Sequence, residues 1–526
     1  MLNASPDLGE ARRVLTSVFG HAEFRPGQER VLACVLAGRD ALAVMPTGAG
    51  KSLLYQLPAA MGRAPVVVVS PLISLMRDQL RALGPATAAT ALHTGQTEAE
   101  QARAIAAIAE GRARIIYAAP ERLAQDSTIA LLRAARVKLI AIDEAHCVAH
   151  WGHEFRPDYA RLGEIAARLG APPILAVTAT AGPATRAEIV ERLFSRQPEV
   201  FVSSFARPNL RLAFERRRDP LRRIVGVLRR HEGRSGIVYC ASRRKTEETA
   251  ECLRRLGFDA LPYHAGLDAG ARAAHQDAFF ERPGVAMVAT IAFGMGVDKK
   301  DVRYVVHADL PGSIEGYYQE IGRAGRDGLP AEALALFEPR DLAARLVRTA
   351  PDGFAAAAAL RRRAMTRLCL TPACRFQTLL RAFGEESGRC GLCDNCRGGP
   401  LSLPRRAGLV LLGLRVAALA RFASAERAEP ETAGEPVSVG LALPSWGEET
   451  PLRVADEALL RALRSLRRDI ARRRRLPPHR IASDAQLRQM AATRPRSLGE
   501  APFGADAEIT EPEAFLRLLG ARPKAQ

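Results

Sequence analysis

Eight consecutive residues, Met45-Pro46-Thr47-Gly48-Ala49-Gly50-Lys51-Ser52, follow an apolar stretch and open an apolar-periodic run. Glycines at 48 and 50 let backbone N–H groups curl around phosphate oxygens without Cβ clashes. A helix starting near Ser52 would turn the positive end of its dipole toward the same anion. In such a cradle, with Thr47 in its wall, Lys51 reaches the β- and γ-phosphates and the Ser52 hydroxyl holds Mg²⁺. Further along, the apolar run Leu139–Ile142 ends in Asp143-Glu144-Ala145-His146. Asp143 would complete the metal shell, and Glu144 would orient and deprotonate the attacking water. The chemistry implied is Mg²⁺-dependent hydrolysis of a nucleoside triphosphate. Met45 stands where the general phosphate-loop pattern has Gly, so the loop is a variant form. Lys51, Lys138, Lys245, Lys299, Lys300 and Lys524 are the only lysines in an Arg-rich chain. An ammonium kept at position 51 fits a need for a compact point charge. The alternative, a Gly-rich turn followed by an unrelated acidic strand end, leaves the mutual support of the two elements unexplained.

Elements that could position these groups are visible as short β-branched runs alternating with helical patterns. Such alternation predicts a doubly wound α/β domain with a parallel sheet. In the first half the expected strands are Leu42–Met45, Val66–Ser70, Ile115–Ala118, Leu139–Asp143 and Ile174–Thr178. Both motifs then lie at carboxyl ends of strands, where ligands bind in such folds. Arg207-Pro208-Asn209 breaks the pattern and reads as a linker. A second cycle follows, with strands expected at Gly236–Tyr239, Ala260–Tyr263, Val285–Ala289, Arg303–His307 and Ala333–Phe337. Two such lobes in tandem predict a cleft that opens and closes on a ligand.

With 526 residues the chain has room for several domains. The net charge is +19, which suggests a polyanionic partner, most simply nucleic acid; an Ala- and Arg-rich composition is the competing source of that charge. No apolar run is long enough to span a membrane and no leader pattern opens the chain, so a soluble cytoplasmic protein is expected. Cys34, Cys147, Cys240 and Cys252 are scattered, as buried thiols are, whereas Cys369, Cys374, Cys390, Cys393 and Cys396 crowd together. That crowding reads as a metal site. Cys374, Cys390, Cys393 and Cys396 are separated by fifteen, two and two residues. Four thiolates suit structural Zn²⁺; an iron–sulfur cluster is the other metal reading, and Cys369 is a rival for Cys374.

The second lobe carries Tyr318-Gln319-Glu320-Ile321-Gly322-Arg323-Ala324-Gly325-Arg326-Asp327-Gly328. Arg323 and Arg326, at or beside a helix end, can face a γ-phosphate across a cleft and stabilise transition-state charge; two solvated helix arginines are the plainer reading. The ordered set of motifs over residues 17–397 resembles the RecQ family of DNA helicases, superfamily-two motors that track 3′ to 5′ on single-stranded DNA. The resemblance implies two tandem RecA-like parallel-sheet lobes, a helical zinc-binding subdomain and a small α-helical C-terminal domain. Ahead of the phosphate loop, residues 19–28 are similar to the family's adenine-reading segment. By that likeness Gln28 bonds the adenine edge, Arg25 stacks on its face, and His21 stands where the family often has Tyr. Arg326 matches the arginine finger and Arg323 its companion.

The strings 69–79, with Ser70 and Arg77, and 119–123 resemble elements that grip the DNA backbone. Thr178-Ala179-Thr180 resembles the element coupling hydrolysis to strand movement. His264, in Tyr263-His264-Ala265-Gly266, and the string 289–298 resemble DNA-contact and coupling motifs of the second lobe. After the acid pair comes a loop with Trp151, His153, Phe155 and Arg156. Exposed aromatics can stack on bases for about 1–3 kcal/mol each. The string resembles the family's single-strand-sensing loop; packing of Trp151 and Phe155 in the lobe interface is the competing reading.

The expected divisions are 1–206 for the ATP-binding lobe, 207–340 for the second lobe, 341–400 for the zinc subdomain, 401–455 for a linker or reduced winged helix, and 456–526 for an HRDC-like helical domain. Arg472 to Arg475 could bind DNA phosphates or simply cap a solvated helix. The expected function is an ATP-dependent 3′-to-5′ DNA helicase of recombination and repair. Its cofactors would be ATP, Mg²⁺ and Zn²⁺, and its substrates single-stranded and tailed or forked duplex DNA. Single-strand-binding or recombination proteins would be its partners, and it would act as a monomer at the nucleoid. An RNA-dependent ATPase or remodeller and an ATP-switched DNA scaffold are the competing functions.

Overall fold

A computed structural model describes residues 8–83, 87–149, 157–294, 299–346 and 353–397, with helical positions 408, 411–413, 416, 459–460, 462–467, 469–470, 487 and 490 beyond them. The first lobe is a seven-stranded sheet of β1 (Ala41–Val44), β2 (Val66–Val69), β3 (Ala89–Leu92), β4 (Ile115–Ala118), β5 (Leu139–Ile142), β6 (Ile174–Thr178) and β7 (Glu199–Val202). Its order is β3-β4-β2-β5-β6-β1-β7, and every pairing is parallel. The second lobe holds β8 (Leu210–Arg216), β9 (Gly236–Tyr239), β10 (Ala260–Tyr263), β11 (Ala286–Ala289), β12 (Tyr304–His307) and β13 (Ala331–Phe337). These six strands are also all parallel, in the order β10-β11-β9-β12-β13-β8.

Alternation along each strand explains the layering. Leu42 and Val44 enter one core, Ala41 and Ala43 the other. A strand buried on both faces needs helices on both sides, and this is how parallel sheets are covered. All five strands expected in the first half are present, and β3 and β7 are additional. β3 is Ala- and Thr-rich at one sheet edge. β7 is the opposite edge, with Val200 44% and Val202 47% exposed. Neither has the continuous apolar signature of a central strand. β8 was also not expected: Leu210, Leu212 and Phe214 are buried and alternate with Arg211, Ala213 and Glu215, a pattern that competes poorly with the linker signal just before it.

A helical segment beyond the second sheet contributes helices Pro339–Leu346, Gly353–Leu370, Arg375–Ala382 and Asp394–Arg397. It is fastened to the edge of the second sheet by Arg375. This buried guanidinium bonds Asp394 (3.0 and 3.2 Å) and the carbonyls of Leu368 and Cys369 (2.6 and 3.0 Å), and lies 4.8 Å over the Phe214 ring. Asp394 also accepts from the Phe214 amide at 3.1 Å.

Residues from Pro430 onward form a compact unit of their own. There Leu460, Leu463, Arg467 and Ile470 are buried, at the spacing of one helix face. Leu459 and Leu466 are half-buried beside this face, and Arg467 takes a buried place on it. The expected linker or reduced winged helix at 401–455 lies outside the described residues except for positions 408, 411–413 and 416, which are helical. Arg472 to Arg475 also lie outside them. No helix among the described residues is long and apolar enough to cross a membrane.

Candidate functional site

The phosphate loop leaves the carboxyl end of β1, and the acid pair leaves that of β5, with β6 between them. Gly48 and Gly50 have φ of +82° and +75°, in the left-handed region that side chains avoid. A Cβ on Gly50 would also sit 2.6 Å from Gln28 Nε2. Lys51 Nζ curls back on its own loop, 3.2 Å from the Met45 carbonyl. Ser52 precedes the helix Leu53–Ala60, so the loop opens a helix as its sequence requires. Gln28 donates to the carbonyls of Ala49 and Gly50, each at 3.0 Å, and accepts from the Arg25 amide at 2.8 Å. Arg25 donates to the Gly48 carbonyl. The segment expected to read adenine is thus bound to the phosphate loop itself. His21 is exposed beside it.

Asp143, at the end of β5, accepts from the Glu144 amide at 2.9 Å. Burial, and then the neighbouring Glu144, push its carboxyl up to about 7, against the pull of Lys51. A carboxylate with a second acid beside it at the end of a strand is the donor chemistry of a cation site, and a divalent ion held by Asp143 and Ser52 would favour its charged form. Glu144 has φ +48° and ψ +47°, an uncommon conformation for a residue with a Cβ. It re-aims the carboxylate away from the strand direction. His146 Nδ1 lies 3.3 Å from Glu144 and 2.9 Å from the Thr178 hydroxyl. Thr178 in turn accepts from the Thr180 amide at 3.2 Å. The Thr-Ala-Thr element therefore touches the acid pair through one buried imidazole.

The raised carboxyl gives a signed expectation. Between about pH 4 and pH 7 Asp143 ionises in the unfolded chain before it does so in the folded one, so nucleotide-free stability falls with rising pH across that window and the loss is complete above it. Asp143→Asn removes this loss. In the absence of nucleotide and Mg²⁺ the variant should be more stable than the parent at pH 8 by on the order of a few kcal/mol, with the gap closing toward pH 4. Melting curves of both proteins at the two pH values check this. An equal gap at both would dissociate the effect from Asp143 ionisation.

The second lobe brings its arginines up by one helix, Ile314–Ile321, capped at its start by Ser313. Gly322 ends it against the phosphate loop. A Cβ there would lie 2.4 Å from Thr47 Oγ1 and 3.0 Å from the Tyr318 carbonyl, so a side chain at this position would press on the phosphate loop and force Thr47 to turn. The Arg326 stem lies beside Gly48: a Cβ on that glycine would be 3.6 Å from Arg326 Cγ. Arg323 takes a different course. It is 4% exposed, close enough to the Tyr239 hydroxyl to pull against the burial that raises it, and its guanidinium is 3.6 Å from the Cβ position of Gly294. Beneath it His307 Nε2 meets Glu320 at 2.7 Å, both groups buried. This pair was not anticipated; its only sequence signal is a His at a strand end and a Glu one helix turn before the arginines.

Of the expected DNA contacts, Arg77 is exposed on the helix Ile73–Leu83. Ser70 and His264 are each 2% exposed, and His264 Nε2 meets Glu247 at 3.0 Å. Packing under their own loops hides both side chains. Trp151, His153, Phe155, Arg156 and the string 295–298 lie outside the described residues.

Cys374, Cys390, Cys393 and Cys396 converge, with all four sulfurs within 4.8 Å of one another. Cys374–Cys393 and Cys390–Cys396 are 3.9 and 4.0 Å apart. A tetrahedron of thiolates about 2.3 Å from a central ion has edges of about 3.8 Å. Amides of Arg375, Cys390, Leu392 and Cys393 donate to these sulfurs at 3.3–3.4 Å, as suits thiolate acceptors. Hydrogen bonds from Cys390 and Cys393 hold the Cys374 thiol well below its usual range. The four residues fit Zn²⁺, and Cys369, buried elsewhere in the subdomain core, is not among them.

Two parallel-sheet lobes, a phosphate loop with an acid pair in one and arginines reaching it from the other, define the two-lobed RecA-like architecture of DEAD/DEAH-type helicases. The chain matches the DEAD/DEAH box helicase family over residues 25–189 and the helicase conserved C-terminal domain over 218–328. It also matches the RecQ zinc-binding family over 344–397 and the HRDC domain over 456–501. It is 43% identical over 392 residues to the ATP-dependent DNA helicase RecQ of Pasteurella multocida, covering 74% of this chain and 62% of that protein. It is 38% identical over 396 residues to the protein of that name from Bacillus subtilis, covering 74% of this chain and 67% of that one. The solved structure of Mss116p bound to ssRNA and AMP-PNP has the same lobed fold, with a TM-score of 0.53 at 15% identity over 78% of this chain and 94% of that one. The chain belongs to the RecQ helicase family. It spans less than two thirds of the length of the Pasteurella multocida relative and 67% of the Bacillus subtilis one.

Proposed function

We propose that the protein is an ATP-dependent DNA helicase that translocates 3′ to 5′ on single-stranded DNA and unwinds duplexes, in recombination and repair. One observation carries the reading: Arg326 of the second lobe lies against Gly48 of the phosphate loop in the first. Hydrolysis then requires both lobes to be together, and lobe closure becomes a mechanical stroke.

In this reading Lys51, Thr47, Gly48, Gly50 and Ser52 bind the triphosphate, and His21, Arg25 and Gln28 face the base. Glu144 orients and deprotonates the attacking water, Arg326 meets the developing charge, and Arg323 braces the loop from inside the second lobe. Mg²⁺, held by Ser52 and Asp143, would supply Lewis-acid stabilisation of the phosphates. Ser70, Arg77, Trp151, His153, Phe155, Arg156 and His264 line the DNA path, with Ser70 and His264 acting through the loops they hold. We assign 1–206 and 207–340 to the two lobes, 341–400 to the zinc subdomain and 456–526 to the HRDC-like unit. Tailed and forked duplexes are the proposed substrates, single-strand-binding and recombination proteins the proposed partners, and a monomer at the nucleoid the working state.

Strand displacement on 3′-tailed and 5′-tailed duplexes, with ATP and Mg²⁺, tests the reading. Displacement of the 3′-tailed substrate alone, absent in Lys51→Ala, is expected. DNA-stimulated hydrolysis without displacement would make the protein a translocase or remodeller, and stimulation by RNA but not DNA would overturn the assignment.

A further inference from the structure

The segment joining the two lobes does more than connect them. Between β7 and β8, Arg207 extends its guanidinium under the loop that carries the paired arginines. It donates to the carbonyls of Gly322 (3.4 Å), Ala324 (2.6 Å) and Gly325 (3.1 Å). Asn209, two residues on, donates to Gly325 and Leu329 at 2.8 and 2.9 Å. The Gly322 carbonyl is shared, because Arg326 Nε approaches the same oxygen at 3.4 Å. The carbonyl that steadies the Arg326 stem is thus itself held from the hinge.

The other face of the hinge is also held. Glu385 of the zinc subdomain accepts from the Ser204 hydroxyl and the Phe205 amide at 2.6 and 2.7 Å. Phe205 stacks on Phe383 with centroids 4.5 Å apart, and Tyr318 donates to the Phe205 carbonyl at 2.9 Å. Burial pushes the Arg207 guanidinium down from its ordinary range, and no carboxylate among the described residues pairs with it. A desolvated cation whose partners are three carbonyls of one loop is a costly way to fill space, and it leaves that loop with little freedom.

Resting on the assignment of Arg326 as the arginine finger, we propose that Arg207 is a positioning residue for Arg326. It acts from the hinge, so that the angle between the lobes and the aim of the finger are set by one side chain. A misplacement of about 1 Å at a reacting group can cost about 10²-fold in rate, so the aim matters even when every catalytic group is present.

The test is a double-mutant cycle in the full chain under saturating single-stranded DNA. Arg207→Ala is expected to lower kcat for ATP hydrolysis by about 10- to 100-fold with KM for ATP changed less than about threefold. Arg207→Ala combined with Arg326→Ala is expected to match Arg326→Ala alone within about threefold, because a residue that acts only through the finger has nothing left to position. Arg207→Lys, whose single ammonium cannot span three carbonyls, should lose at least about fivefold and takes the place of Ala in the cycle if that variant fails to fold. An inactive Arg326→Ala beside a fully active Arg207→Ala overturns the inference alone. So does a further tenfold loss in the double variant, which would mark a general structural role. A fully active Arg326→Ala overturns the finger assignment and the inference with it.

Discussion

Arg326→Ala is expected to lower DNA-stimulated ATP hydrolysis by about 10³-fold or more in kcat, while KM for ATP stays within a few-fold of the parent. The reason lies in where the residue starts and what it meets. Its backbone belongs to the second lobe, its stem lies beside Gly48 of the first, and in the proposed role its guanidinium meets charge that develops only as the γ-phosphoryl leaves. An interaction made mainly in the transition state is lost from kcat and not from ground-state binding, and fingers of this kind are worth about 10³–10⁵. Arg323→Ala should behave differently. That side chain is buried against Tyr239 inside the second lobe, so its loss should lower the melting temperature as well as the rate. Single-turnover hydrolysis and melting curves on the two variants separate the roles. A loss below tenfold in Arg326→Ala would remove the residue from the chemistry.

Removal of the metal should have an effect of comparable size on folding. The purified protein is expected to carry close to one zinc per chain by elemental analysis. Cys393→Ser, or stripping with a chelator at elevated temperature, should unfold the region around 371–397 and lower the melting temperature by many degrees. Structural zinc contributes about 10–16 kcal/mol to isolated zinc-finger peptides. The effect here is expected to be smaller, because Phe376, Leu379, Leu380 and Phe383 also bury the subdomain against its neighbours. The consequence should reach the ATP site. Cys393 adjoins Asp394, which holds the Phe214 amide and Arg375, and Phe383 and Glu385 brace the hinge. Zinc loss is therefore expected to reduce ATP hydrolysis although no ligand lies near the phosphate loop. Active, folded protein with far less than one zinc, or with iron and its visible absorbance, would defeat this account.

Much of the site was legible before any fold was known, and the reason is locality. A phosphate loop works through backbone geometry within eight residues, so its glycines, Lys51 and Ser52 are readable as a string. Asp143 and Glu144 are adjacent and end an apolar strand. Three of the four zinc ligands lie within a span of seven residues. Central strands such as β5 and β6 announce themselves because both faces are buried. Where a face meets solvent or a strand lies at an edge, as in β3 and β7, the apolar signal fades and those elements were missed.

The tertiary structure decided everything that depends on which distant surfaces meet. That Arg326 faces Gly48 while Arg323 turns inward, that Gln28 binds the phosphate loop, that His264 is buried against Glu247 and that Arg207 gathers three carbonyls are all outcomes of packing between segments far apart in the chain. The sequence by itself determined which groups are present and the chemistry they can do, since residue type and short-range spacing carry that information. Only the folded chain set their aim, because the side of a helix end on which an arginine emerges, and what it meets there, follow from how two sheets and a hinge pack together.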